Sequence, residues 1–170
     1  KEILNPQLMR LDFSIFSLHL ILACGFIVMP LLLVENNIVA NEDNWQLYLP
    51  AIAISFVGMV PLIIAHKTTK KQANLTARVG LLIISQILFF SLDLSLGIFI
   101  ILLSLFFIAF NTVEAILPSL LSITAWASKR GLAMGVFSTS QFLGIFIGGV
   151  IGGLIYDIFD LYSVFFLTYR

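Results

Sequence analysis

This 170-residue chain has little charge, one cysteine, two histidines and no net charge at neutral pH. Charged residues make up 11% and apolar ones 60%, whereas a soluble domain carries about a quarter charged residues. A soluble fold of this size cannot hide so much apolar surface, because most of its outer layer must face water. The balanced charge leaves no basic face for nucleic acid and no acidic solvating tail. Cys24 has no second cysteine to pair with, so no intrachain disulfide forms. His19 and His66 stand far apart and no HExxH, GxSxG or metal-spaced cluster is present, which argues against an enzyme and implies no metal or cofactor. No cleavable signal peptide is expected, since the polar opening Lys1 to Arg10 leads into an apolar run too long for a signal core.

What the chain has in abundance is long apolar runs. A bilayer-spanning helix needs ~20 such residues, and the runs predict spans over about 13–34, 47–65, 77–92, 96–121 and 132–156. A sixth begins at 161–170, shorter than a full crossing, and is expected to be truncated. The fold class expected is therefore an all-α integral membrane protein with the lipid bilayer as its surroundings. The loop charges sort by side. Lys1, Arg10, Lys67, Lys70, Lys71, Arg78, Lys129 and Arg130 fall on one side, and Glu35, Glu42, Asp43, Asp93, Asp157 and Asp160 on the other. Lys and Arg concentrate in cytoplasmic loops, so the N-terminus of this segment is expected in the cytoplasm. The Asn74-Leu75-Thr76 sequon falls on that cytoplasmic side and is read as chance.

Polar residues inside the spans carry the functional reading. Glu114 lies about seven residues from the cytoplasmic end of the fourth span, hence ~10 Å deep at 1.5 Å per residue. A carboxylate there costs at least ~2.5 kcal/mol, and such groups mark substrate or proton pathways; the structural alternative is a glutamate that ties two helices together. Asn111 shares its helical face, three residues earlier. Pro118, four residues later, has no N–H for the carbonyl of Glu114 and should bend the helix there. His19 in the first span lies at similar depth, and Gln141 in the fifth lies somewhat deeper. Together Glu114, Asn111, His19 and Gln141 are candidates for one polar layer, although interhelical hydrogen bonding also accounts for His19 and Gln141. Gln86 is read as such a bond alone. Pro30 and Pro61 should bend the first and second spans. Gly144, Gly148 and Gly152 form a small-residue stripe that lets another helix approach, with Gly149 and Gly153 beside it.

The runs NTVEAILPSL over 111–120 and KRGLAMGVFSTSQFLG over 129–144 resemble the tenth and eleventh helices of major facilitator superfamily transporters, most nearly the bacterial YajR branch grouped with drug:proton antiporters. The likeness covers almost the whole chain and implies a C-terminal half, helices seven to twelve, built as two three-helix inverted repeats with the last helix truncated. It also implies a bacterial inner-membrane location and proton-coupled export of a small amphipathic compound. Its partners would be protons, that substrate, and an N-terminal six-helix half or a second half-chain. Helices seven and ten line the family's cavity, which would aim His19, Asn111 and Glu114 toward it. The basic loop 61–71 lacks the family's usual glycine and acidic residue. Alternatives from other classes are a membrane assembly or regulatory protein, an inactive transporter fragment, and a membrane-embedded enzyme.

Overall fold

A computed structural model describes residues 5–35, 45–68, 79–85, 87–88 and 95–167. Every regular element among them is a helix. Helix α1 spans Pro6–Glu35 and α2 spans Trp45–Thr68. Helix α3 is seen at 79–85 and 87–88. Helix α4 spans Leu96–Thr124, and a 3-10 turn at Ala127–Lys129 leads into α5, Arg130–Leu167. Four of these helices are long and apolar enough to cross a bilayer. The loop acids Glu42, Asp43 and Asp93, the basic residues Lys1, Lys70, Lys71 and Arg78, the Asn74 sequon, Gln86 and residues 168–170 lie outside the described residues.

Local sequence explains the helix ends. Asn5 caps α1, its side-chain oxygen accepting the Gln7 N–H at 3.0 Å, and Pro6 sits in the first helical position, where no N–H is needed. Between α4 and α5 the chain turns without glycine: Ala125 N–H bonds Leu121 C=O at 2.8 Å, and Lys129 N–H bonds Trp126 C=O at 2.9 Å. Pro30, Pro50, Pro61 and Pro118 all stand inside continuous helices.

Helix α5 departs from the expected boundaries. Its 38 residues continue through 157–160, where Asp157 and Asp160 suggested a loop between a fifth and a sixth span. No glycine or proline stands between Leu154 and Leu167 to end the helix. Two acidic residues alone do not break helical hydrogen bonding.

The chain divides into two compact units, one of residues 1–32 with 120–170 and one of residues 33–119. In the first, Leu8, Ile15, Leu18, Met29, Leu121 and Phe137 are buried. In the second, α4 supplies most of the core through Phe99, Leu103, Phe106, Phe110 and Leu117. Phe106 meets Phe107 edge-on at 5.4 Å and stacks with Phe110 at 6.0 Å, geometries that aromatic rings favour. Over half of the apolar window of α4 is buried, against 17% for the other three long helices. Those three show large apolar side chains outward, including Phe13, Val57, Phe142 and Phe146. Such a surface suits lipid and would not suit water.

Hydroxyls in an apolar medium need partners. Ser55, Ser85, Ser104, Thr112, Thr124 and Thr139 each donate to a carbonyl three or four residues earlier in their own helix, at 2.6–2.9 Å. This back-bonding lets serine and threonine sit in bilayer-crossing helices.

Candidate functional site: polar pairs within the spans

In the first unit, α1 and α5 bring together two of the residues singled out from sequence. His19 is 3% exposed. Its Nδ1 lies 3.2 Å from the Ile15 carbonyl, one turn back, and its Nε2 lies 2.8 Å from Nε2 of Gln141. A carbonyl only accepts, so Nδ1 carries the hydrogen. In the neutral ring Nε2 then offers a lone pair, and the Gln141 amide donates to it. Both ring nitrogens are thereby satisfied inside an apolar helix pair.

The small-residue stripe explains how the helices come close enough. A Cβ added at Gly144 would collide with the Phe16 carbonyl oxygen, and one at Gly148 with that of Leu20. At Gly152 a Cβ would stand 3.2 Å from Cys24 Cα. Backbone against backbone is the closest approach helices make, and glycine permits it. Gly149 and Gly153, on the neighbouring stripe, face open space, as do Gly131 and Gly135.

The second unit holds the other pair. Asn111 on α4 donates from Nδ2 to Ser55 Oγ on α2 at 3.0 Å, while Ser55 itself donates to Ile52 C=O. Sequence reasoning missed Ser55, because one serine in an apolar run looks self-satisfied. The same helices touch at Gly58, where a Cβ would lie 2.6 Å from Ile108 Cδ1. Glu114 is half-buried one turn along α4 from Asn111, with Pro118 a further turn on. Among the described residues no group of histidine, cysteine, aspartate or glutamate is arranged to hold a metal ion.

Apolar helices of crossing length, satisfied hydroxyls and exposed apolar side chains define a multi-pass α-helical membrane protein. Comparison with known proteins makes this specific. The chain is 39% identical over 97% of its length to the Inner membrane transport protein YajR of Escherichia coli. It is 36% identical over 86% of its length to an uncharacterized transporter of Buchnera aphidicola from Acyrthosiphon pisum, and 28% over 99% to one from Baizongia pistaciae. No protein-family model and no solved structure matches. Along nearly its whole length the chain is thus similar to part of major facilitator superfamily transporters of the bacterial inner membrane. It covers 36%, 37% and 43% of the lengths of these three relatives, well under half of each.

Proposed function

We propose that the chain forms one half, the C-terminal one, of the translocation path of a secondary transporter that exports a small amphipathic compound in exchange for protons. The observation that carries this reading is the match along nearly the whole chain to proteins named as transporters. Short polar groups held at depth in apolar helices support it: Asn111 and Glu114 on α4, His19 on α1 and Gln141 on α5. Pro118 withholds an N–H from the Glu114 carbonyl, so a carbonyl, a carboxylate and an amide share one polar stretch of α4. A stretch of this kind lets a membrane helix handle protons, water or a polar group of a substrate. The other wall of the path is an N-terminal six-helix half or a second half-chain. In this reading the N-terminus of this segment lies in the cytoplasm, which the placement of the basic loops supports.

The test is Glu114→Gln in sealed vesicles with an imposed proton gradient. Gradient-driven transport is lost while insertion and helix content stay normal. Undiminished transport removes Glu114 from proton coupling. A purely structural glutamate instead gives a well-behaved Gln variant and a poorly folded Glu114→Ala.

A further inference from the structure

The His19–Gln141 pair differs from an ordinary hydrogen bond between helices in how its two ends are held. The ring is fixed: it is buried between α1 and α5, and its Nδ1–H donates to the Ile15 carbonyl at 3.2 Å. The amide is not. Its nitrogen meets His19 Nε2 at 2.8 Å, and its Oε1 has no partner among the described residues. A half-turn about the Cγ–Cδ bond exchanges the amide nitrogen and oxygen in place, and torsions of this kind are soft. The pair therefore has two arrangements with the same heavy-atom positions. Either the neutral ring accepts from the amide N–H, or a ring protonated at Nε2 donates to Oε1. A separation of 2.8 Å suits both.

We propose that His19 and Gln141 form a reversible proton-binding site, with His19 Nε2 taking the proton and the Gln141 amide turning its oxygen to receive it. A neutral N–H···N bond is exchanged for a charge-assisted N–H···O bond, and charge-assisted bonds are about twice as strong. That gain offsets part of the cost of a charge among apolar groups. The spacing of α1 and α5 stays as it is, because backbone contacts at Gly144 and Gly148 set it. Helix α5 carries no titratable group between Arg130 and Tyr156, and residues 120–124, the end of α4 in this unit, carry none. On α1 the titratable neighbours are Asp12, two turns earlier, and the free thiol of Cys24, five residues later. The turn before α5 adds Lys129, beside the same cleft as Asp12, and α5 opens with Arg130. Use of this proton to drive transport rests on the function proposed above, whereas its binding is read without any transport.

His66→Gln leaves His19 as the single histidine, so a proton titration of the ring-labelled full chain in micelles tests the site. Nitrogen-15 spectra should show Nε2 unprotonated near about pH 9 and reversibly protonated by about pH 5, at constant helix content. The Gln141 side-chain amide signal should move over the same range. Gln141→Leu has no oxygen to offer and should bind the proton about tenfold more weakly. Gln141→Glu can only accept and should bind it about tenfold more tightly. An Nε2 that stays unprotonated throughout in a folded protein overturns the proposal, as does protonation with the Gln141 amide signal unmoved. Should Gln141→Leu fail to fold, unchanged proton binding in Gln141→Glu has the same force. Vesicle transport that fails while His19 still titrates removes the transport reading and leaves the site standing. Gradient-driven transport with a His19 that never titrates removes the site alone.

Discussion

Gln141 donates to His19 across 122 positions of chain, amide nitrogen to ring nitrogen at 2.8 Å. This fixes the neutral histidine as the Nδ1–H tautomer, because the Ile15 carbonyl on the other side of the ring only accepts. Nitrogen-15 spectra of ring-labelled protein should show Nε2 as the unprotonated nitrogen. Gln141→Leu removes that hydrogen bond from a buried ring nitrogen, and unfolding in micelles should show a loss of about 0.5–2 kcal/mol. His19→Leu combined with Gln141→Leu should lose less than the sum of the two single changes, since neither partner is then stranded.

The glycines of α5 divide into contact and open positions, and alanine substitution should separate them. Gly144→Ala and Gly148→Ala push a methyl group into the α1 backbone, which cannot yield as a side chain can. Each should cost about 1–3 kcal/mol in the same unfolding measurement. Gly135→Ala and Gly149→Ala enter open space and should be neutral, or stabilising by up to ~1 kcal/mol through helix propensity. Equal effects at all four positions would contradict the close approach of α1.

Gly58 meets the flexible end of a side chain, so its substitution should be rescuable. Gly58→Ala should destabilise by about 1–2 kcal/mol. In an Ile108→Ala background the added methyl group has room, and the penalty for Gly58→Ala should shrink toward zero.

Ser55 and Asn111 should be coupled by the modest amount typical of hydrogen bonds between membrane helices. Ser55→Ala and Asn111→Ala in a double-mutant cycle should give a coupling near 0.6 kcal/mol. A coupling indistinguishable from zero would mean that Asn111 does not depend on Ser55. Under the transport reading, Asn111→Ala should also reduce substrate uptake into vesicles more than Ser55→Ala, because Asn111 shares its helix with Glu114.

Much of this arrangement was legible in the sequence for simple reasons. Bilayer thickness demands long apolar runs, so helices such as α4, Leu96–Thr124, stand out within a few residues of their true ends. Spacing of four marked Gly144, Gly148 and Gly152 as one stripe, although nothing in the spacing named α1 as the helix it meets. Depth counting placed His19 near the level of Glu114, with Gln141 somewhat deeper, and did not single out His19 and Gln141 as a pair. It did not reveal the donor and acceptor roles, which depend on the Ile15 carbonyl. Ser55 was invisible because a serine that bonds its own helix leaves no pattern. The continuity of α5 through Asp157 and Asp160 was misread because charge was taken for a break, when helix breaking belongs to glycine and proline.

The glycine seam between α1 and α5 also constrains how the protein is made. Helix α1 leaves the ribosome before α5, because the residues that cover Phe16 and Leu20 lie more than a hundred positions behind it. Until Gly144 and Gly148 arrive, that face of α1 must rest against lipid or another helix, with His19 waiting for its amide. Assembly therefore closes late. A variant that blocks the seam should insert all its earlier helices normally and then be degraded as an unclosed intermediate.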